Sequence, residues 1–207
     1  MSGTISFNPF TTTVPVNPFL SPTQGLVQGV ALDDPSSKNW LEGGQLASTE
    51  TVTMWGGVPI QIEINQVASG ASEGLGPVLK RSTSQANTLG WAVFNQASSM
   101  VITPGNNVPQ AAVGNYVSFY RNATNARIVV NCDPALVAAL TAGELITGAS
   151  MYWSVTLYWV TLVSSGSNFA LPTTTVLRAV NSNSKIVNYA SASSVTWTTG
   201  DAAIIQI

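Results

Sequence analysis

The chain contains no histidine, a single cysteine and few charged side chains. Without histidine, Ser-His-Asp and Cys-His nucleophile systems, His-ligated zinc and imidazole acid–base chemistry are excluded. Cys132 has no second cysteine to pair with, so no intrachain disulfide can form, and a buried, unreactive thiol is expected. Charged residues make up 8% of the 207 positions, against roughly 25% in an ordinary soluble domain. With a net charge of −2 and no Lys/Arg run, the chain is expected to have no nucleic-acid partner.

Long apolar runs are also missing, although 45% of the residues are hydrophobic. The longest, residues 151–163, is too short to span a membrane as a helix and is rich in β-branched and aromatic residues. It predicts one strand buried on both faces, and no membrane partner is expected. The first seven residues have no basic residue followed by an apolar run, so they do not resemble a signal peptide.

Prolines at four positions divide the N-terminal region and prevent a continuous helix or central strand there. We therefore predict an extended N-terminal arm over residues 1–30, followed by a single β-rich domain over residues 31–207. The arm carries Phe7, Phe10 and Phe19, which are too apolar for a solvated linker and are the candidate interface residues. Three alternatives remain open, namely docking on the chain's own core, docking on a neighbouring subunit and disorder.

Two short helices are indicated by their terminal residues. Asp34-Pro35 with Gly43, and Asp133-Pro134 with Gly143, each combine an acidic N-cap, a proline at the first helical position and a glycine after the end.

Elsewhere, apolar and polar residues alternate with the period of a β-strand. The strands are predicted at residues 58–65, 91–94, 116–120, 126–130, 175–180 and 194–199, with a loop at residues 181–184. The runs 116–120 and 126–130 form the clearest predicted hairpin. The fold class is therefore all-β, a barrel or sandwich with an extended N-terminal arm and two short helical insertions.

No group of residues indicates a catalytic, cofactor or metal site, and the chain is not expected to be an enzyme. Asp34 and Asp133 are explained as helix caps, Asp201 as part of a turn and Glu63 as an outward strand position. The basic pair at residues 80–81 is expected to be a solvated strand end. A glycosidase needs two carboxylates across a sugar site, and this remains the least favoured of three functional hypotheses.

Two stretches resemble a known family. The first comprises residues 26–35, 43–50 and 54–58, and the second comprises residues 89–97, Pro109, residues 120–121 and residues 126–130. Together they are similar to the N-terminal and barrel-forming regions of head structural proteins of tailed bacteriophages, the capsid cement or decoration proteins. The similarity covers roughly residues 26–131 and consists of packing residues.

The resemblance implies a non-enzymatic virion structural protein that binds and stabilises the major capsid lattice of a tailed phage. Its partners would be the major capsid protein and further copies of itself, in a homo-oligomer for which a trimer is the expected form. It would be assembled in the host bacterial cytoplasm and located on the capsid exterior of the virion. The alternative is a tail or fibre component that binds a host receptor.

Overall fold

The computed structural model describes residues 26–32, 41–64, 76–93, 108, 110–141, 146–147, 152–156, 159–163, 175–191 and 194–207. These residues form strands with one α-helix, α1 (Pro134–Thr141), and one 3₁₀-helix (Gln85–Asn87). The strands are β1 (Leu41–Leu46), β2 (Met54–Trp55), β3 (Pro59–Ile64), β4 (Val78–Arg81), β5 (Gly90–Ala92), β6 (Gln110–Ala111), β7 (Tyr116–Arg121), β8 (Arg127–Asn131), β9 (Ile146–Thr147), β10 (Tyr152–Thr156), β11 (Trp159–Val163), β12 (Thr175–Ser191) and β13 (Ser194–Gln206).

Five strands form a closed barrel in the order β1-β4-β3-β5-β7, with β7 pairing back to β1. The β1–β4 pair is parallel, and the other pairs are antiparallel. Ile60, Leu79, Trp91, Val117 and Phe119 on these strands are fully buried, so the barrel contributes much of the main hydrophobic core. The all-β fold class and the barrel are confirmed.

A second sheet has the order β8-β13-β12-β9. Strand β13 lies between β8 and β12. Residues 26–32, which we call the 26–32 segment, connect β8 and β12 on the side away from β13. The Gln28 amide donates to the carbonyl of Lys185 on β12 at 2.9 Å, and the Gly29 amide donates to the carbonyl of Val129 on β8 at 2.8 Å. The segment thereby closes the β8–β13–β12 sheet into a second ring. Five buried residues form a small core of this ring, namely Leu26, Leu32, Val129, Ile186 and Ala202.

The 26–32 segment also belongs to the packed domain rather than to a separate arm. Leu26, Gln28 and Leu32 are buried, and the Lys185 amide donates to the Leu26 carbonyl at 2.6 Å. The last five residues of the predicted arm, 26–30, are thus part of the domain's core. Phe7, Phe10 and Phe19 lie outside the described residues.

One of the two predicted helices is present. Helix α1 begins where the sequence predicts, and the Asp133 carboxylate accepts a hydrogen bond from the Ala135 amide at 2.8 Å. The other prediction is wrong at its end, because Leu41 and Glu42 belong to strand β1; residues 34–40 lie outside the described residues.

Tertiary contacts explain this difference. Glu42 pairs with Phe119 on β7, and Gly44 packs so closely that a Cβ there would lie 2.5 Å from Leu79 Cδ1. Gly44 therefore permits close strand packing, and Gly43, the predicted C-cap, is a residue of strand β1.

The predicted hairpin is also wrong. Strands β7 and β8 are consecutive, but β7 pairs with β1 and β5 while β8 pairs with β13. Both edges of β7 are occupied within the closed barrel, so β8 has no edge to join and enters the other sheet. The connection contains Ala123 and Asn125, both with φ near +60°, which redirects the chain between the two sheets.

Three further segments depart from the sequence predictions. Residues 151–163 contain two strands, β10 and β11, which pair antiparallel with each other instead of forming one strand. The expected loop at residues 181–184 is a register shift within the continuous strand β12. Asp201 lies within β13 and not in a turn. For residues 181–184 and for Asp201, pairing between β12 and β13 overrides the local turn signal.

The part of the chain that the structure describes contains no helix with the length and apolar character required to cross a membrane.

Gly29 provides a test of the 26–32 segment. Its φ is +85°, and a Cβ there would lie 2.5 Å from Gly56 Cα. We expect Gly29→Ala to lower the free energy of unfolding by about 3 kcal/mol or more, because backbone strain and a backbone clash add together. Urea denaturation measures the change.

The matched control is Gly114→Ala. Gly114 has nearly the same φ, +83°, but its Cβ would have no neighbour closer than 4.0 Å. Gly114→Ala should lower the free energy of unfolding by about 1–2 kcal/mol, because only the left-handed backbone conformation is unfavourable there. Equal losses in the two variants would show that the close approach of the segment to Gly56 does not contribute to stability.

Candidate functional site

Three ion pairs at the barrel connect different parts of the chain. Glu50 pairs with Arg81, Glu42 with Arg121 and Glu63 with Lys80. Glu63 also accepts hydrogen bonds from the Thr49 hydroxyl at 2.7 and 2.9 Å. Each of these carboxylates therefore has a structural partner within the chain.

The Glu50–Arg81 pair is the least exposed of the three. The Arg81 amide donates to Glu50 Oε1 at 2.8 Å, and Arg81 Nε donates to Oε2 at 3.1 Å, with Nη2 as a further donor. The side chains are 12% exposed for Arg81 and 9% for Glu50. The prediction of a solvated strand end is therefore wrong for Arg81, whose guanidinium joins β4 to the chain after β1.

The Glu42–Arg121 pair joins β1 to β7 at the surface, where the side chains are 31% and 46% exposed. The hydrogen bond from Arg121 to Glu42 raises the pKa of the guanidinium, although partial burial opposes that effect. Exposure makes this pair a weak contributor to stability. The contribution of the Glu42–Arg121 pair to stability is therefore the reference for that of the less exposed Glu50–Arg81 pair.

Cys132 lies at the end of β8, where it forms a bridge to Leu162 on β11. The thiol is free and buried, which confirms its predicted burial. Burial raises its pKa well above the usual range, and the nearby Asp201 and Asp133 carboxylates raise it further. A thiol in this environment remains protonated and is a poor nucleophile.

Metal-ligating side chains are not clustered in the described part of the chain, where no three Cys, Asp or Glu residues are placed to hold an ion. The side chains of Trp55 and Trp91 are buried. The Trp55 ring stacks on Tyr189 at 5.9 Å between centroids, so the aromatic side chains serve packing between the barrel region and β12.

Exposed large apolar side chains occur together near one end of β7. Val113 is 41% exposed and Tyr116 is 38% exposed. They are close in sequence to Gly114, and Tyr116 pairs with Gln45 on β1. Sequence patterns did not single them out, because the alternation of apolar and polar residues around β7 identifies the side chains that face the core more clearly than those that face solvent.

No family model, curated protein or solved structure matches this chain.

The two glutamates of the ion pairs give a matched stability test. Glu50→Gln should lower the free energy of unfolding by about 3–5 kcal/mol, because Arg81 would lose its carboxylate partner in a buried position. Glu42→Gln should cost about 1 kcal/mol or less, since that pair is exposed. Thermal and urea denaturation measure both; similar losses would contradict the assigned difference in burial.

The Cys132 thiol gives a test of reactivity. Labelling of the native protein by iodoacetamide between about pH 7 and 9 should be far slower than labelling of the same protein in denaturant, because the thiol is buried and protonated. The denatured protein is the control, with its rate rising as the thiol ionises. A native rate within about tenfold of the denatured rate would refute the structural role.

Proposed function

We propose that this chain is a non-enzymatic virion structural protein that binds and stabilises the major capsid lattice of a tailed phage. The observation that carries the proposal is that the residues resembling phage head proteins act in packing. They include the 26–32 segment, β1, β5 and β8. A protein that reinforces a shell needs a rigid body and contact area more than reactive groups.

The charge distribution supports the same function. Glu42, Glu50 and Glu63 form ion pairs within the chain, and Asp133 caps α1. Since charged side chains amount to 8% of the sequence, contact with a partner depends mainly on buried apolar and hydrogen-bonding surface. Such contacts are less sensitive to salt than those based on charge.

Self-association completes the proposal. The mean hydropathy is +0.25, which favours further burial of apolar surface. A homo-oligomer, for which we expect a trimer, would place several copies of one modest contact on adjacent capsid subunits. Linked contacts can raise avidity ~10²- to 10⁴-fold. The partners are therefore the major capsid protein and the chain itself, on the exterior of a virion assembled in the bacterial cytoplasm.

Capsids from a phage that lacks this protein provide the test. Adding the purified protein should raise the temperature at which these capsids rupture, because breaking the shell then requires breaking several contacts together. Electron microscopy should show repeated density on the capsid surface. The mass in solution should exceed the 21.6 kDa of one chain.

Bovine serum albumin at the same concentration controls for non-specific protection. An unchanged rupture temperature with no density on the capsid would refute the capsid function. Density confined to the tail would instead favour the alternative, a tail or fibre component that binds a host receptor.

A further inference from the structure

The second sheet buries both of its faces, one against the main hydrophobic cluster and one beneath the 26–32 segment. On β13, Ala203 and Ile205 belong to the main cluster, whereas Ala202 belongs to the small core together with Leu26 and Leu32 of the segment. Adjacent side chains of a strand point to opposite faces, so Ala202 and Ala203 mark the two faces of the sheet. Without the segment, the face that carries Ala202 would lose its cover, and the other face would keep its contacts.

The sheet is joined to the barrel by contacts between residues outside the 26–32 segment. Trp91 of the barrel and Ile128 and Val187 of the sheet are all buried in the main hydrophobic cluster. The Trp55 ring stacks on Tyr189 of β12 at 5.9 Å between centroids. The barrel itself is closed by pairing among its own five strands. These contacts can therefore persist when the segment is displaced.

Backbone hydrogen bonds hold the 26–32 segment on β8 and β12. Amides on both sides of this border donate across it, at donor–acceptor distances of 2.6–3.1 Å. We call them the border amides, and they belong to Leu26, Gln28, Gly29, Leu32, Val129, Lys185 and Val187. Because each acceptor lies on the opposite side of the border from its donor, separation of the segment breaks these hydrogen bonds together.

The apolar part of this attachment is small. Leu26 and Leu32 are buried in the small core, and Ala31 packs against the main cluster. Between the two leucines, the Gln28 side chain accepts a hydrogen bond from the Val187 amide at 2.9 Å. Elements that bury few apolar side chains open at a lower free energy than the core of a protein. The segment is therefore expected to separate more readily than the barrel unfolds.

We propose that the 26–32 segment is a releasable strap. It leaves β8 and β12 as one unit, while the barrel stays closed and the second sheet stays packed on the main hydrophobic cluster. Release uncovers an apolar sheet face that includes Val129, Ile186 and Ala202, together with the backbone groups of β8 and β12 that the segment pairs with. The strap thereby switches this face between a covered and an exposed state, and the inference does not depend on the proposed capsid function.

Native-state hydrogen exchange of the full-length protein, followed by NMR at low urea concentrations, tests the release. The border amides should share one opening reaction, with protection factors at least ~tenfold lower than those of the barrel amides. Ala92 and Val93 represent the barrel, since their amides donate to the carbonyls of Val58 and Ser118. The Cys132 amide, which donates to the Asp201 carbonyl, should keep the higher protection, because β8 and β13 remain paired.

A variant in the barrel separates strap release from unfolding of the whole chain. Ile60 is fully buried in the main hydrophobic cluster, and its surroundings are the same whether the strap is bound or released. Ile60→Val should therefore accelerate exchange of the barrel amides by about three- to tenfold. It should leave exchange of the border amides unchanged to within about twofold, because it destabilises the covered and the released states equally.

A variant in the strap should have the opposite selectivity. Gln28→Ala removes the side-chain hydrogen bonds to the Val187 amide and the Gly56 carbonyl, so it should accelerate exchange of the border amides by about fivefold or more. The matched control is Gln45→Ala, which removes a side-chain hydrogen bond to the Gly114 carbonyl at the barrel. This control should leave exchange of the border amides unchanged.

The wild-type measurement decides the inference even where a variant does not fold. Equal protection of the border and barrel amides would overturn it, because the segment would then separate only when the whole chain unfolds. Equal acceleration of both groups by Ile60→Val would overturn it for the same reason. Loss of protection at Cys132 together with the border amides would also overturn it, since the sheet itself would then come apart. Lower protection confined to the border amides, and unchanged by Ile60→Val, would support the strap.

Discussion

The hydrogen bonds of the 26–32 segment hold together parts of the chain that are distant in sequence. Its backbone bonds reach Lys185 on β12 and Val129 on β8. The Gln28 side chain accepts from the Val187 amide at 2.9 Å and donates to the Gly56 carbonyl at 3.3 Å. Gln28 is buried, and an unsatisfied buried amide would be costly. The position of this segment therefore fixes the second ring and its contact with the turn that precedes β3.

Strand β8 shows how the two rings share one core. Ile128 and Val130 belong to the main hydrophobic cluster, whereas Val129 belongs to the small core of the second ring. Since adjacent side chains of a strand point to opposite faces, both faces of β8 are buried. The same division occurs on β12 with Ile186 and Val187. A continuous apolar run is therefore required on β8, and a strand with one polar face could not replace it.

Features set by local chemistry could be predicted from the sequence, whereas strand partners could not. Asp133-Pro134 marks the start of α1 because a cap and a fixed proline φ act within one turn. By contrast, the close spacing of β7 and β8 in sequence suggested a hairpin, but closure of the barrel leaves β7 no free edge. The burial of Arg81 was missed for a similar reason, because its partner Glu50 is 31 residues away. For the candidate interface, the sequence supplies the apolar arm residues Phe7, Phe10 and Phe19, which lie outside the described residues.

The low charge content and the closed rings are related. Edge strands in many proteins are kept apart by lysine, glutamate or proline, and this chain has 16 charged residues in total. The described acidic residues of the barrel are engaged within it, as with Glu50 and Arg81. Protection must therefore come from geometry, either by pairing strands around a ring or by covering an edge with backbone, as the 26–32 segment does.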